Sequence, residues 1–499
     1  MNNTWKRLIL FSVLLGMFVC AFAACGKKKT PVETGEVTTP EETTEPVGQA
    51  PVIPKVDYAG QEFVMLLRAG GNGGNPEDMF FDENPSGTGT IVDGQVWARN
   101  QRVEETTGIT LRAERSSSNN SDYDQLQPIL MGDTTYDVIA NHGRSMLAQY
   151  ATKNTLLNWY DIPYVGDSLE FEWWDQGMRE DFTVNGKLWV MSGDLSWMNL
   201  GATIAMILNK RVARENNLDY PYDLMKAGTW TLEEFKTMVQ QVNSNINDET
   251  KFTPEDGDHI GYMTSRWRGP ITVIYSGGGA LVSNNGSELE LTINTPRNEQ
   301  LYTDYFNILD MENVWYSSGG WGVSQSKTFA NSASHVLFMD TRLTDVSYIQ
   351  EETTDYGVLP WPKYDESVDK YYAWRDAIGN CFGVPKTLAA DSARMERVGV
   401  VLELLCRYGN EKVIPAFYQR VLLARYSNDD DGKIAIDYIK EGRRFDLAAS
   451  MFKPYLSDFG PYLADREGHS FATAYAEIRG NAEKDVADVN IMFGDLGYE

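Results

Sequence analysis

NGKLWVMSGDLSWMNLGATIAMILNKRV, residues 185–212, decides the fold because one apolar run ends there, a polar loop intervenes and a second apolar run begins. Residues 187–191 are a short β-rich run, residues 192–199 mix Gly, Asp, Ser and Trp, and residues 201–208 are apolar and favour a strand. A chain that leaves one sheet and enters another through so short a connection crosses between two lobes. Ligand clefts favour such boundaries, and a hinge needs only a few residues that change their backbone angles.

The composition indicates a large globular protein. The chain has 499 residues, too many for one ordinary core, so two or three domains are expected. The formal net charge of -27 at pH 7 opposes binding to nucleic acid and to anionic lipid headgroups. Nucleic acid is therefore not expected among the partners.

The N-terminus has the pattern of an export signal. Lys6 and Arg7 precede an apolar run over residues 8–22, which is short for a membrane span. The run ends in FAACG, which resembles the bacterial lipobox and makes Cys25 the lipidated first residue of the mature protein. Residues 1–25 are thus a predicted lipoprotein signal peptide, with simple cleavage or a retained N-terminal anchor as alternatives. In each case the rest of the chain is expected outside the cytoplasm, attached to the cell membrane when lipidated.

Two further features concern the region after the signal. Residues 26–55 are rich in Thr, Glu, Pro, Val and Gly and have little to bury, which predicts a disordered tether. Cys381 and Cys406 are the remaining cysteines. They could form a disulfide in an oxidising compartment, but a body of this size does not need one, so buried free thiols are favoured.

The body alternates strands with helices. Predicted strands lie at residues 62–67, 110–113 and 136–140, with helices over 92–107 and 122–131 between them. This alternation indicates a parallel α/β sheet, and ligands bind beyond the carboxyl ends of such strands. The first lobe therefore places Arg68, Asn141, His142 and Arg144 on the rim of the proposed cleft.

The second half continues this pattern. Strands are predicted at residues 260–263 and 336–339, and Asp340 and Arg342 are expected directly after the latter strand. Thr231 is suited to cap a helix. A long helix over 388–408 is predicted to begin at Thr387 or Asp391 and to end at Gly409.

Several short stretches, in this order and spacing, make the body resemble an extracellular solute-binding protein of a bacterial ABC importer, of the family 1 or sugar-binding type. They are DVI at 137–139, NGKL at 185–188, GDLS at 193–196, LNK at 208–210, GTWTLEEF at 228–235 and YGVLPWPK at 356–363. The resemblance implies an α/β, two-lobe, periplasmic-binding-protein-like type II fold. Its lobes close on a solute, which is delivered unchanged to the permease subunits of an ABC transporter.

The resemblance also implies a division of the chain. Lobe one comprises residues 56–196 and 383–423, and lobe two comprises residues 197–382 together with the C-terminal helices over 424–499. The protein is expected to be a monomer without cofactor or metal. Its only four histidines are scattered in sequence, and the chain has no Walker, G-x-S-x-G, H-E-x-x-H or C-x-x-C motif.

A sugar site of this kind uses aromatic faces for stacking and planar polar side chains for hydroxyl groups. The aromatic candidates are Trp197, Trp267 and Trp374. Besides Arg68 and His142 on the rim, the polar candidates are Asn141, Arg144, Asp194, Asp340, Arg342 and Asp376. Each has a structural alternative: the tryptophans as core or hinge residues, and Arg342 with Asp340 and Arg375 with Asp376 as ion pairs.

Two other classes of function stay open from the sequence. A surface-attached glycoside hydrolase would need two carboxylates roughly 5 to 9.5 Å apart, for which Asp194 and Asp340 are candidates. A surface protein that binds sugar without a permease would use the same cleft.

Overall fold

The computed structural model describes residues 49–68, 90–116, 121–247, 252–319, 322–350, 355–377, 379–422 and 430–496. The predicted signal peptide, Cys25 and most of the predicted tether lie outside these residues. Everything described below belongs to one structural unit that spans Gly48–Glu499.

Two sheets carry the architecture. The strands are β1 Glu62–Leu67, β2 Thr110–Arg115, β3 Val138–His142, β4 Ile204–Asn209, β5 His259–Ser265, β6 Val282–Asn284, β7 Leu289–Leu291, β8 Val314–Ser317, β9 His335–Arg342, β10 Tyr356–Leu359, β11 Ala373–Trp374, β12 Asn380–Gly383 and β13 Arg443–Arg444. The first sheet has the order β12-β3-β1-β2, and the second has the order β10-β4-β9-β5-β8. Strand β1 is parallel to both β2 and β3, which confirms the predicted alternation of strands and helices in the first lobe.

Helices surround both sheets. They are α1 Ile91–Thr107, α2 Ser121–Leu130, α3 Gly143–Ser145, α4 Gln176–Phe182, α5 Met198–Gly201, α6 Lys210–Glu215, α7 Tyr222–Ala227, α8 Leu232–Gln241, α9 Gly269–Ser276, α10 Pro296–Leu309, α11 Gly322–Ala330, α12 Val346–Gln350, α13 Ser392–Tyr408, α14 Ile414–Leu422, α15 Asp430–Glu441, α16 Leu447–Met451, α17 Pro454–Ser457, α18 Phe459–Ala464 and α19 Phe471–Leu496. The predicted mixed α/β fold class is confirmed.

Local sequence signals explain where several helices begin and end. Helix α1 ends at Gly108, whose φ of 67° is the left-handed conformation that glycine adopts at little cost. The Thr231 side chain accepts a hydrogen bond from the backbone N–H of Glu234 and caps α8, as predicted.

Residues 185–212 pass from the first sheet to the second. Met191 and Phe382, in β12 of the first sheet, exchange backbone hydrogen bonds of 3.0 and 2.8 Å, and the chain then enters β4 of the second sheet. We call residues 192–203 the first crossing. The prediction of a regular strand over residues 187–191 is wrong, because Lys187 and Met191 form only isolated bridges there.

The chain returns from β10 to β12 alongside the first crossing. We call residues 360–379 the second crossing. Thr203 forms an antiparallel bridge with Arg375, and the Asp376 N–H donates to the Ala202 carbonyl at 3.0 Å. Two antiparallel segments, hydrogen-bonded to each other, therefore connect the sheets.

Gly409 does not end the long helix, so this prediction is wrong. Helix α13 begins at Ser392, and the Asp391 side chain accepts a hydrogen bond from the Arg394 N–H as its cap. Gly409 has a helical φ of -62°, and the chain continues through Gly409–Val413 into α14. A Cβ at Gly409 would lie 2.0 Å from the Asp194 carbonyl oxygen, so glycine allows close approach of the first crossing.

Helix α19 touches both lobes. Its first residue, Phe471, packs against Tyr302 of α10, with ring centroids 6.0 Å apart. Near its other end, Phe493 stacks on Trp189 at 4.9 Å, directly before the first crossing. The exact division of the chain between lobes at residues 196, 382 and 423 stays a prediction.

Candidate functional site

Three of the predicted rim residues lie together at the carboxyl end of the first sheet. Arg68 follows β1, and its N–H donates to the Ala140 carbonyl of β3 at 3.1 Å. His142 ends β3, and its Nδ1 accepts from the Arg144 N–H at 3.2 Å. Burial, followed by the positive charges of Arg68, Arg144 and Arg375, lowers the pKa of His142 to about 3. His142 is therefore neutral near pH 7.

Asn141 has a packing role at the same edge. Its side chain is buried, and its Nδ2 donates to Gln125 Oε1 at 2.7 Å and to the Tyr150 hydroxyl at 3.1 Å. Its Oδ1 accepts from the His142 N–H at 2.6 Å. These contacts fix the turn that presents His142 and Arg144.

Arg144 connects this edge to the C-terminal helices. Its guanidinium lies 3.2 Å from the Asp458 carboxylate, which directly precedes α18. Helix α18 packs against α9, which follows β5 of the second sheet. The ion pair is partly exposed, since 36% of the Arg144 side chain is accessible.

The strand predicted over residues 336–339 continues to Arg342, so Asp340 and Arg342 lie at the carboxyl end of β9 but within the strand and not directly after it. Asp340 Oδ2 accepts from the Tyr262 hydroxyl at 3.1 Å and from Thr264 Oγ1 at 3.0 Å. The residue is fully buried, and burial raises the pKa of its carboxyl to about 7. Arg268 donates to its backbone carbonyl at 2.9 Å.

Arg342 and Asp376 belong to a chain of charged side chains at the end of β9. Arg342 Nε lies 2.9 Å from Asp345, which also pairs with Arg268 at 3.5 Å. Arg342 Nη1 lies 3.7 Å from the Asp376 carboxylate in the second crossing. Arg342 therefore pairs with Asp345 and Asp376, whereas the alternatives that the sequence left open paired Arg342 with Asp340 and Asp376 with Arg375.

The residues at the carboxyl end of the first sheet and the charged residues at the end of β9 meet at the second crossing. The Gly143 N–H donates to the Ala377 carbonyl at 3.0 Å, which places Asp376 next to the turn that carries His142 and Arg144. We define the candidate site as the region between the sheets formed by Arg68, His142, Arg144, Arg342 and Asp376.

Trp267 is connected to this region through its neighbour Arg268, whose partner Asp345 also pairs with Arg342. It directly precedes Arg268 in the turn between β5 and α9, its side chain is half-buried, and Arg266 lies 4.7 Å over its ring. A half-buried indole at the carboxyl end of a strand can offer one face to a sugar.

Trp197, Trp374 and Asp194 are more deeply buried. Trp197 is 6% exposed and stacks on Phe417 of α14 at 5.3 Å. Trp374 is 2% exposed in β11. Asp194 accepts from Asn410 Nδ2 at 2.8 Å and lies 3.7 Å from Lys440 Nζ, and burial raises its pKa. Their predicted ligand contacts stay predictions.

Sequence reasoning missed three residues beside the first crossing, namely Arg420 and the two residues with which it interacts, Asp93 and Tyr348. Arg420 of α14 lies 5.4 Å over the ring of Trp197, and its charge interacts with Asp93 of α1 and with Tyr348 of α12. Tyr348 also interacts with Arg342. No local motif marks them, since each belongs to a helix that is distant in sequence.

The two carboxylates considered for a hydrolase lie in separate networks. Asp340 contacts Tyr262 and Thr264, whereas Asp194 contacts Asn410 and Lys440. In the part of the chain that the structure describes, no three His, Cys, Asp or Glu side chains converge as a metal site would require.

The two cysteines of the body are buried free thiols. Cys381 Sγ lies 3.9 Å from an Arg375 nitrogen, and Cys406 Sγ lies 3.1 Å from the position of a Cβ at Gly193. Cys381 therefore packs against the second crossing, and Cys406 packs against the first crossing. None of the described helices is long and apolar enough to span a membrane.

No protein-family model matches the chain, and no curated protein matches it significantly in sequence. Many solved structures share its fold. UgpB from Mycobacterium tuberculosis, in complex with glycerophosphocholine, is 14% identical with a TM-score of 0.52, over 81% of this chain and 99% of that one. An ABC transporter solute-binding protein from Agrobacterium radiobacter K84, in complex with ribitol, is 12% identical with a TM-score of 0.51, over 86% and 99%.

A third similar structure is the GacH receptor of Streptomyces glaucescens, studied unliganded and with acarbose. It is 11% identical with a TM-score of 0.50, over 86% of this chain and 99% of that one. Together with the two sheets and the paired crossings, these similarities show that the chain has the two-lobed α/β fold of the ABC transporter solute-binding proteins.

Proposed function

We propose that this protein is the extracytoplasmic receptor of an ABC importer. It captures a carbohydrate or related polyol between its lobes and delivers it, chemically unchanged, to the permease subunits. The observation that carries this proposal is the pair of hydrogen-bonded crossings between two sheets, with polar side chains from both lobes gathered beside them. Such a connection lets two lobes close about a solute by a change in a few hinge residues.

The proposed site contains the groups that a carbohydrate needs. Arg342 and Asp376 can each bind hydroxyl groups, and Trp267 supplies an aromatic face. His142 is neutral and can donate through Nε2, because its Nδ1 already accepts from the Arg144 N–H. The related fold of receptors solved with ribitol and acarbose supports this class of ligand.

The proposal includes the attachment and division predicted from the sequence. Cys25 carries the lipid, residues 26–55 form the tether, and the monomeric body divides at residues 196, 382 and 423. The anchor keeps the receptor near its permease, because a diacyl chain binds a membrane far more firmly than a single acyl chain.

A thermal unfolding screen tests the function. The purified protein is heated with neutral oligosaccharides, polyols, uronic acid oligosaccharides and sugar phosphates, and each ligand is afterwards analysed by mass spectrometry. A ligand at a hundred times its Kd should stabilise the protein by about 2.7 kcal/mol. For a body of this size that is a rise in Tm of about 3 °C.

The expected ligand is recovered intact. Cleavage of a glycosidic bond would instead identify an enzyme, and a full panel without any stabilising carbohydrate would overturn the proposal. Closure of the lobes can be tested separately by small-angle X-ray scattering, which should show a smaller radius of gyration with ligand than without it.

A further inference from the structure

Helix α14 brings a further polar side chain to the boundary between the two sheets. The helix packs against α1, which lies between β1 and β2 in the sequence, and against α12, which follows β9 of the second sheet. At its end, the Arg420 carbonyl accepts a hydrogen bond from Gln350 of α12, and the Val421 carbonyl accepts from the Tyr356 hydroxyl of β10 at 2.6 Å. Arg420 is therefore held between elements of both sheets.

The Arg420 guanidinium lacks an acceptor in this position. Among the described residues, its side chain forms neither a hydrogen bond nor an ion pair. Burial lowers the pKa of Arg420, and interactions with Asp93 of α1 and Tyr348 of α12 offset this effect only in part. A partly desolvated guanidinium without an acceptor is unfavourable, so oxygen atoms of a bound ligand would stabilise it.

Trp197 of the first crossing fixes where this guanidinium lies. Arg420 and Phe417 are three residues apart on α14, so they face the same side of the helix. Phe417 stacks on the Trp197 ring at 5.3 Å, and the guanidinium lies 5.4 Å over the same ring. A cation–π contact of this kind holds the guanidinium in place but uses none of its five N–H donors.

Tyr348 connects Arg420 to the candidate site. It interacts electrostatically with Arg420 on one side and with Arg342, a member of the candidate site, on the other. Its hydroxyl has no hydrogen-bond partner among the described residues. The side chains of Asp93, Tyr348, Arg420 and Arg342 are each half-buried. A row of partly accessible polar groups therefore runs from the end of β9 to α1 beside the first crossing.

The chemistry of this row suits an uncharged ligand. Asp93 opposes the charge of Arg420, so the row has a carboxylate acceptor as well as guanidinium donors. Tyr348 adds a hydroxyl, which can donate or accept. A sugar hydroxyl also donates one hydrogen bond and accepts others, so it can use all three groups.

We propose that Asp93, Trp197, Tyr348 and Arg420 form a second subsite of the cleft, in which a further unit of an oligosaccharide donates to Asp93 and accepts from Arg420 and Tyr348. The inference rests on the proposed function and specifies its ligand. The solute is a neutral chain of at least two sugar units, one at the candidate site and the next at the second subsite. Trp197 acts as a positioning residue, because it supports the guanidinium.

Homologous sugars test the second subsite by isothermal titration calorimetry on the purified protein. Glucose, galactose and mannose are each compared with their β-1,4-linked and α-1,4-linked disaccharides and trisaccharides. In at least one series, a disaccharide should bind about tenfold or more tightly than its monosaccharide, which is the effect of one hydrogen bond to a charged group. The inference is overturned when no longer homologue binds more tightly than its monosaccharide in any series.

Arg420 offers a variant with a matched control. Arg420→Gln should lower the preference for the disaccharide, measured as the ratio of the two dissociation constants, about tenfold. Arg102→Gln also removes a guanidinium from an aromatic ring, that of Tyr408 at 3.7 Å, but Arg102 lies on α1 outside the second subsite and pairs with Glu411. This control should keep the parent ratio. A ratio that Arg420→Gln leaves intact, or that both variants lower equally, overturns the role of Arg420.

Trp197 is tested by the shape of its replacement. Trp197→Phe retains an aromatic face for Arg420 and should keep most of the preference for the disaccharide, whereas Trp197→Leu should lower it about as much as Arg420→Gln does. Equal losses in the two variants would overturn the positioning role. Tyr348→Phe removes only the hydroxyl and should lower the preference several-fold, and an unchanged ratio would remove this hydroxyl from the second subsite.

The results separate this inference from the proposed function. A monosaccharide, or the polyol ribitol, that binds and is recovered intact, with no gain for any longer homologue, retains the receptor and rejects the second subsite. Absence of binding by every probe, short and long, rejects both.

Discussion

Asn410 donates a 2.8 Å hydrogen bond to the buried carboxylate of Asp194 in the first crossing. Lys440 approaches the same carboxylate from the other direction at 3.7 Å. Asn410 precedes α14, which packs against α1 near the first sheet, and Lys440 lies on α15, which packs against β10 of the second sheet. Asp194 therefore joins the first crossing to elements of both lobes.

Replacement of Asp194 by Ala should lower the free energy of unfolding by about 3 kcal/mol, because it leaves the Lys440 ammonium without its carboxylate partner. Urea unfolding measures this loss. Asp194→Asn should cost less, since the amide oxygen still accepts from Asn410. An unchanged stability with a large loss of ligand affinity would instead support the predicted contact of Asp194 with the solute.

The raised pKa of Asp340 predicts a dependence of stability on pH. Its carboxyl has a pKa near 3.8 when unfolded and about 7 when folded, so the folded protein binds the proton more tightly. Stability should therefore fall as pH rises from about 4 through about 7, by at most about 4 kcal/mol at 1.36 kcal/mol per unit.

Asp340→Asn should remove most of this slope, because Asn stays uncharged and retains an acceptor for Tyr262 and Thr264. Unfolding free energies measured from pH 4 to pH 8 check the change. Asp365→Asn is the control: its pKa is lowered to about 2 by Arg297, so its loss should leave the slope between pH 4 and 7 intact. A parallel pH profile for Asp340→Asn and the parent would contradict the prediction.

Trp267→Ala should weaken carbohydrate binding about tenfold, since loss of one stacked aromatic face removes about 1 kcal/mol or more of contact. Trp315→Ala on the edge strand β8 is a matched control, because Trp315 is also half-buried but lies outside the candidate site. Calorimetric titration of both variants gives the comparison. If Trp315→Ala loses as much affinity as Trp267→Ala, the assignment of Trp267 to the site is wrong.

Cys25→Ser should release the protein from the membrane fraction, because the side chain that would carry the lipid is lost. Fractionation of cells and incorporation of a labelled fatty acid measure the effect, and ligand affinity of the purified body should not change. Equal membrane association of the variant and the parent would favour an uncleaved N-terminal anchor.

Local signals were sufficient to predict much of the fold. The Thr231 cap, the stop at Gly108 and the passage from one sheet to another near residue 191 each depend on residues close in sequence. The predicted helix end at Gly409 was wrong because this glycine allows the Asp194 backbone to pack closely against it. That contact joins segments that are distant in sequence, so no local pattern reveals it.

The site was less predictable for the same reason. The rule about carboxyl ends of strands correctly brought Arg68, His142 and Arg144 to one edge. It could not show that Trp197 packs on Phe417, whose position depends on the whole intervening lobe. Arg420 and Tyr348 were missed because helical residues carry no mark of the distant partners they approach.

The position of β12 has a consequence for how the chain matures. This strand forms one edge of the first sheet. In the sequence, however, every strand of the second sheet lies between β3 and β12. A chain exported from its N-terminus therefore presents every strand of the second sheet before the first sheet can close. The first sheet begins to emerge before the second but is completed only when β12 arrives. Translocation should therefore yield a partly folded intermediate whose first sheet is not stable until β12 has been added.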